Sequence, residues 1–267
     1  MKVVILCGGK GTRLREETEF RPKPMVPIGN RPILWHIMKY YAAFGHKEFI
    51  LCLGYKGDMI KDYFRNYLWH TCDTTLMLGR AAAVQFHNRH DEEDWSVTLA
   101  DTGENSMTAY RIRQVERYLG TDETFLLTYG DGVGNVDISG SIAQHRRMKK
   151  TCTLTAVHPP GRFGELGLGT GLAVRSFNEK PQTEGGYMNG GYMVCDRRLF
   201  DYLPDDAGMM LEQEPMKKLT ADDQLSAFKH EGFWQPMDTF QEYTLLNKLW
   251  EAGQAPWKIW KDPHGVR

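Results

Sequence analysis

Four short stretches of this 267-residue chain gather residue types that could handle phosphate. Near its start, the apolar run KVVILC (2–7) leads straight into Gly8-Gly9-Lys10-Gly11-Thr12-Arg13. Glycines directly behind a buried strand let the backbone turn sharply and bring N–H groups close to an anion. Two common phosphate motifs fail on spacing. The Walker pattern GxxxxGK[ST] does not fit, because Gly8 and Gly9 are followed five residues on by Arg13 and Leu14. The dinucleotide fingerprint GxGxxG fails where Leu14 replaces its third glycine. Taken alone, the turn is equally compatible with a structural role. Arg13 and Lys23 add two cations behind the same strand end, and Pro22 and Pro24 restrict the backbone, so Lys23 is expected in an extended segment.

Two carboxylates follow at a distance. Asp131 sits between glycines in Thr128-Tyr129-Gly130-Asp131-Gly132, where small neighbours would let a divalent cation approach. Asp238, in Trp234-Gln235-Pro236-Met237-Asp238-Thr239, is a second candidate, although the same position could N-cap the last helix. Mg²⁺ prefers oxygen ligands and is often held by one or two carboxylates plus substrate phosphates. Glu179-Lys180-Pro181 is by itself a charge pair before a turn, and Asn189 offers both donor and acceptor. No serine elbow or zinc-ligand spacing is present, and His36, His87 and His90 lack metal spacing.

These residues need a scaffold that brings strand ends together. Strands are expected at 2–7, 49–53, 74–78, 96–99, 124–128 and 152–157, with helices at 32–44, 56–69, 108–119 and 138–149. This alternation predicts an α/β fold: a Rossmann-like, mostly parallel sheet flanked by helices. Strands near 172–177 and 186–195 and helices near 197–203, 211–219 and 239–250 make a smaller C-terminal portion. We read residues 1–267 as one domain, with a first half to about 150 and the rest behind it. In an open α/β sheet, ligands bind beyond the carboxyl ends of the strands, where the glycine turn lies.

Composition narrows the classes. Thirty-three basic against thirty-four acidic residues leave a net charge of −1, which argues against a general nucleic-acid binder. No apolar run approaches the roughly 20 residues needed to span a bilayer, and the first apolar run is too short for a signal peptide. Cys7, Cys52, Cys72, Cys152 and Cys195 form no CxxC pair and read as buried free thiols, so a cytoplasmic protein is expected. The acidic run at 91–94 reads as a solvated turn. The seven tryptophans read as core and interface anchors.

GGKGTRL followed by RPKPMVPIGNRPIL resembles the signature of the sugar-phosphate nucleotidylyltransferase family. That resemblance implies a cradle for nucleotide base and phosphates at Leu6, Gly8, Gly9, Lys10, Gly11, Thr12 and Gly130, with Arg13 and Lys23 on the triphosphate. It implies Mg²⁺ on Asp131 and Asp238, sugar phosphate on Lys180, and sugar contacts at Gly164, Glu179 and Asn189. Further segments, including PILWHIM (32–38), GYKG (54–57), DTG (101–103), YGDG (129–132), PPGRFG (159–164) and GFWQPMD (232–238), resemble the cytidylyl-transferring branch, which acts on glucose 1-phosphate. The expected substrates are therefore CTP and a hexose 1-phosphate. In that branch a Ser and an Arg reach nucleotide across a subunit interface. The matching residues are Ser106 and Arg111, which implies a homo-oligomer with shared sites.

Two departures stand out: Ala109-Tyr110 where that branch has Gly-Gly, and Glu165-Leu166-Gly167 where it has a segment like Ala-Leu-Asp. The second bears on the sugar, so a modified hexose 1-phosphate is an alternative, as is the thymidylyl-transferring branch. A binding subunit without turnover is the non-enzyme alternative, which the retention of Arg13, Lys23, Asp131, Lys180 and Asp238 opposes.

Overall fold

The computed structural model describes residues 1–79, 83–87, 92, 94–158, 165–168, 174–178 and 186–261. Its centre is a sheet of seven strands: β1 (Val3–Leu6), β2 (Glu48–Leu53), β3 (Ser96–Asp101), β4 (Thr124–Tyr129), β5 (Cys152–Val157), β6 (Met188–Asp196) and β7 (Leu225–His230). Their spatial order is β7-β5-β6-β4-β1-β2-β3. The pairs β1–β2, β1–β4, β2–β3 and β5–β7 are parallel, whereas β6 runs antiparallel to both β4 and β5. This is a mostly parallel, Rossmann-like sheet. It runs without a break from strands of the first half of the chain to strands of the second.

Strand β1 shows why its sequence is apolar throughout. Val3 and Ile5 pack into one core layer, and Val4 and Leu6 into the layer on the opposite face. Helices cover both faces: α1 (Ile33–Ala43), α2 (Gly57–Arg65), α3 (Thr108–Gln114), α4 (Ile138–Met148), α5 (Glu214–Ala221) and α6 (Phe240–Glu251). Successive strands leave β1 towards β3 on one side and start again at β4 on the other. The crevice between the carboxyl ends of β1 and β4 is thus the switch point of the sheet.

Several sequence expectations are corrected. The strand expected at 74–78 is Asp73–Met77, paired with Ala83–His87 in a hairpin outside the sheet. The helix expected at 56–69 breaks at Asn66, and the one expected at 108–119 ends in a separate 3₁₀ turn at Glu116–Tyr118. The segment beginning at Arg197 is also 3₁₀. Strand β7 was not foreseen. LSAFKH is a half-exposed edge strand without a long apolar run, and its pairing with β5 comes from tertiary context.

Lys23 is not in an extended segment. The chain is extended at Pro22 and then makes a single 3₁₀ turn over Lys23–Met25. Proline fixes a φ that suits such a turn, and at this position its missing N–H has no bond to make. Nor is the acidic run simply solvated. Glu92 is buried and its Oε1 accepts from Lys39 Nζ at 2.7 Å, while Asp91 and Glu93 lie outside the described residues. Cys7, Cys52, Cys152 and Cys195 are buried free thiols and Cys72 is half-buried. Among the described residues, no helix is long and apolar enough to cross a membrane.

Candidate active site

The crevice is closed at its base by backbone. Gly130 N–H donates to Leu6 O at 3.0 Å, tying the turn after β4 to the end of β1. A Cβ on Gly130 would lie 2.9 Å from that oxygen, so this position needs glycine on packing grounds. Gly8 is buried, whereas Gly9, Lys10, Thr12 and Arg13 are exposed. Gly11 has φ +62°, and a Cβ there would meet Thr18 Cγ2 at 2.8 Å. A Cβ on Gly9 would meet nothing within 4 Å, so the open side of the turn is at Gly9.

A second device carries the two aspartates to the crevice. Gly132–Gly134 pairs antiparallel with Trp234–Pro236, setting Gly132 opposite Pro236. Met237 N–H then donates to Asp131 O at 2.8 Å. Asp131 and Asp238 leave this small ladder on the same side and meet one cation. Lys23 Nζ donates to Asp131 Oδ2 at 2.7 Å and also to Asp238 Oδ1. Arg13 Nη1 lies 2.7 Å from the other oxygen of Asp238. Burial pulls the Lys23 ammonium towards a lower pKa, but Asp131 and Asp238 outweigh it and leave the value raised. Lys23 is therefore a buried, permanently charged group at neutral pH.

Asp238 does not cap α6. The cap is Thr239, whose hydroxyl accepts from Glu242 N–H, and Glu242 Oε2 in turn accepts from Thr239 N–H at 2.8 Å and Asp238 N–H at 2.7 Å. Both Asp238 carboxylate oxygens are consequently turned to the crevice. The T-x-x-E spacing of a capping box was present in the sequence and could have excluded the capping alternative.

Two carboxylates converging on one cation form an oxygen donor set suited to a hard divalent ion. Among the described residues no group of three or more His, Cys, Asp or Glu could hold a metal. A cation here would complete its shell with water and substrate oxygens. Cys7 lies beside Gly130, but burial, then Cys52 and Asp131, push its thiol well above the ordinary value, so it is no nucleophile.

The remaining candidates divide. Ser106 Oγ lies over Gly103 in the loop after β3. Arg111 on α3 is buried against its own chain, with Nη2 donating to Gly8 O at 3.0 Å. Asn189 follows Met188 at the start of β6, and its Oδ1 already accepts from Gly191 N–H at 2.9 Å. Gly164, Glu179 and Lys180 lie outside the described residues. The strand Glu165–Leu168 pairs with Val174–Asn178 and sets Glu165 opposite Asn178. Ala109 is fully buried in the core, which gives that departure a packing role. Sequence reasoning missed Glu242, and also Glu212, which accepts from the Tyr129 hydroxyl just ahead of Gly130.

A Rossmann-like sheet with a glycine turn, two cations and two aspartates at its switch point is the arrangement of a nucleotide-handling enzyme. The nucleotidyl transferase family matches residues 2–253, and the chain belongs to that family. Among its relatives, glucose-1-phosphate cytidylyltransferase of Salmonella typhimurium is 51% identical over 98% of this chain and all of its own length. The protein of that name from Salmonella typhi matches to the same extent. In fold, UDP-glucose pyrophosphorylase complexed with UDP-glucose superposes with a TM-score of 0.66 at 15% identity, covering 94% of this chain and 98% of the other.

Proposed function

We propose that this chain transfers cytidylyl from CTP to a hexose 1-phosphate, with glucose 1-phosphate as substrate, giving CDP-glucose and pyrophosphate. The observation that carries the reading is the meeting of Lys23, Arg13, Asp131 and Asp238 at the β1/β4 crevice. Full-length likeness to the Salmonella cytidylyltransferases gives it the nucleotide and the sugar.

The reaction is an in-line displacement. A phosphate oxygen of the sugar 1-phosphate forms a bond to the α-phosphorus, the α–β bridging bond breaks, and pyrophosphate leaves. The attacking oxygen is already anionic at neutral pH, so no general base is needed. What opposes the step is charge: two like unit charges at about 4 Å repel by roughly 4 kcal/mol at an effective dielectric near 20. Positioned cations offset such terms in the transition state. Lys23 serves the triphosphate from a fixed, buried position. Arg13 is mostly exposed, with its tip already at Asp238, and so can turn from that carboxylate to the phosphates. A divalent cation held by Asp131 and Asp238, for which we take Mg²⁺, would neutralise phosphate charge between the two reactants.

Gly8, Gly9, Lys10, Gly11, Thr12, Leu6 and Gly130 cradle the nucleotide in this reading, with Arg111 seated behind the turn against Gly8 and Ser106 in the loop after β3. Lys180 receives the sugar phosphate, with Glu179, Asn189 and Gly164 around the sugar. The enzyme works in the cytoplasm as a homo-oligomer. The exposed apolar side chains of Trp69, Leu76, Met77 and Leu78 around the 73–87 hairpin support assembly.

The test is pyrophosphate release with Mg²⁺, each nucleoside triphosphate being paired with a panel of hexose 1-phosphates. Release that requires CTP and glucose 1-phosphate together is the expected result. Release with CTP and a different hexose would move the sugar assignment and draw attention to Glu165. Preference for another nucleotide would overturn the cytidylyl assignment, and no release with any pair would overturn the enzyme.

A further inference from the structure

Arg111 carries a buried guanidinium whose five hydrogen bonds all end on neutral oxygens of its own chain. Nη1 donates to Leu53 O at 2.9 Å, Thr102 Oγ1 at 2.9 Å and Gly103 O at 2.7 Å. Nη2 donates to Gly8 O at 3.0 Å and Glu104 O at 3.2 Å. These acceptors follow or end three adjacent parallel strands: Gly8 lies beyond β1, Leu53 ends β2, and Thr102 to Glu104 lie beyond β3. A single side chain from α3 therefore laces together the carboxyl ends of one whole side of the sheet.

The slot it fills exists because two residues lack side chains. A Cβ on Gly8 would overlap the Arg111 guanidinium carbon and Nη1, and a Cβ on Gly54 would overlap Nη1 and Nη2. Gly8 and Gly54 both have φ outside the left-handed region, so backbone conformation does not demand glycine at either. This separates the glycines of the turn by cause. Gly11 answers a backbone angle, Gly9 has open space in front of it, and Gly8 makes room for Arg111.

We propose that Arg111 is a positioning residue for the glycine turn: its guanidinium, seated in the slot left by Gly8 and Gly54, fixes the turn against β2 and β3 from within the same subunit. This rests on the reading of that turn as the nucleotide cradle. The planar fork reaches acceptors on three strands at once, which a lysine ammonium on a longer flexible stem does not reproduce. Arg111 thus acts on CTP through the backbone of residues 8–12, and its loss should be felt by the nucleotide rather than by the sugar phosphate.

The experiment is a double-mutant cycle of Gly8→Ala and Arg111→Ala on the full chain, with Arg111→Gln as a milder variant should the alanine fail to fold. Steady-state constants for CTP and glucose 1-phosphate are measured beside amide hydrogen exchange of residues 8–12 in the ligand-free protein. Arg111→Ala is expected to speed exchange in the turn and raise the KM for CTP about tenfold, with less than about a threefold change for glucose 1-phosphate. Gly8→Ala should cost about tenfold in kcat/KM in the parent and less than about twofold when Arg111 is already alanine, because the overlap is gone. Equal cost of Gly8→Ala in both backgrounds, or unaltered exchange in the turn, overturns the proposal. If the parent protein uses no CTP, the cytidylyl reading fails by itself, and the exchange measurements still decide the role of Arg111.

Discussion

Two lysines of this chain are buried to a similar degree and paired with carboxylates at the same distance, yet they belong to different kinds of region. Lys23 is 6% exposed and 2.7 Å from Asp131. Lys39 is 8% exposed and 2.7 Å from Glu92. Lys23 lies at the switch point of the sheet, meets a second carboxylate in Asp238, and opens to solvent through Asp131 and Arg13. Lys39 lies on α1, with the rings of Trp35 and Trp95 at 5.6 and 6.0 Å. On the same helix His36 is wholly buried against Trp250 and Trp257. A buried ion pair is thus not by itself the mark of a site. What separates the two is convergence of unlike segments at strand ends, and a path to water.

The sharpest way to break this comparison is to remove each lysine in turn. Lys23→Met should lower kcat/KM for pyrophosphate release by about 10³-fold, because it deletes a fixed cation from where charge is handled. Its cost in stability should be the smaller of the two, since Arg13 remains against Asp238 and Asp131 is about one-third open to water. A loss under tenfold in kcat/KM would place Lys23 with the structural lysines.

Lys39→Met should do the reverse. Glu92 would stay buried with the Lys39 ammonium gone, and breaking a buried ion pair costs about 3 kcal/mol. Denaturant unfolding reads that loss, while kcat/KM should stay within about threefold of the parent. Adding Glu92→Leu should restore part of the stability, because removing both charges avoids burying a carboxylate that has lost Lys39. Equal destabilisation by the single and double changes would refute the pairing argument.

The α1 region also predicts a pH effect that the crevice does not. His36 Nε2 donates to Ile28 O at 3.0 Å, and Trp257 Nε1–H donates to His36 Nδ1 at 3.4 Å, an arrangement that fits the neutral ring. Burial first, and then Arg31 and Lys258, bring its pKa down to about 4. The unfolded chain takes up the proton near pH 6.5, so the contribution is whole above that pH. It is lost progressively as pH falls towards 4, up to about 3 kcal/mol. His36→Gln should flatten the fall in unfolding midpoint between pH 6.5 and 4. An unchanged slope would assign the acid sensitivity elsewhere.

The difference between the regions also explains what could be read from sequence. Local signals carried the glycine turn, Lys23 between prolines, and the strands β1, β2 and β5, because period, punctuation and composition act within a few residues. The pairing of Gly132–Gly134 with Trp234–Pro236 is what brings Asp131 and Asp238 together, and it joins segments about a hundred residues apart. Nothing in either stretch points to the other. Lys39 and Glu92 were hidden for the same reason: a run of acidic residues reads as solvated until a helix with a buried lysine packs on it. Arg111 was found by resemblance, but its seat in the slot beside Gly8 and Gly54 arises only from tertiary packing of segments far apart in the chain.

The smallest effect should come from the device that frees Asp238. Thr239 caps α6 with its hydroxyl, while Glu242 reaches back to the N–H groups of Thr239 and Asp238. Thr239→Ala should lower stability by about 1 kcal/mol, the usual cost of a lost cap. Its effect on kcat/KM should be within about threefold, because the Glu242 bond to Asp238 N–H survives. Glu242→Ala should cost a similar amount in stability but more in activity, since it releases the backbone of the residue that faces Lys23 and Arg13. If the two variants lose activity equally, Asp238 is held by the end of the helix as a whole. If Glu242→Ala loses several-fold more, the capping box joins stability to the site through one backbone hydrogen bond, and the carboxylate of Asp238 is placed by the residue four positions beyond it.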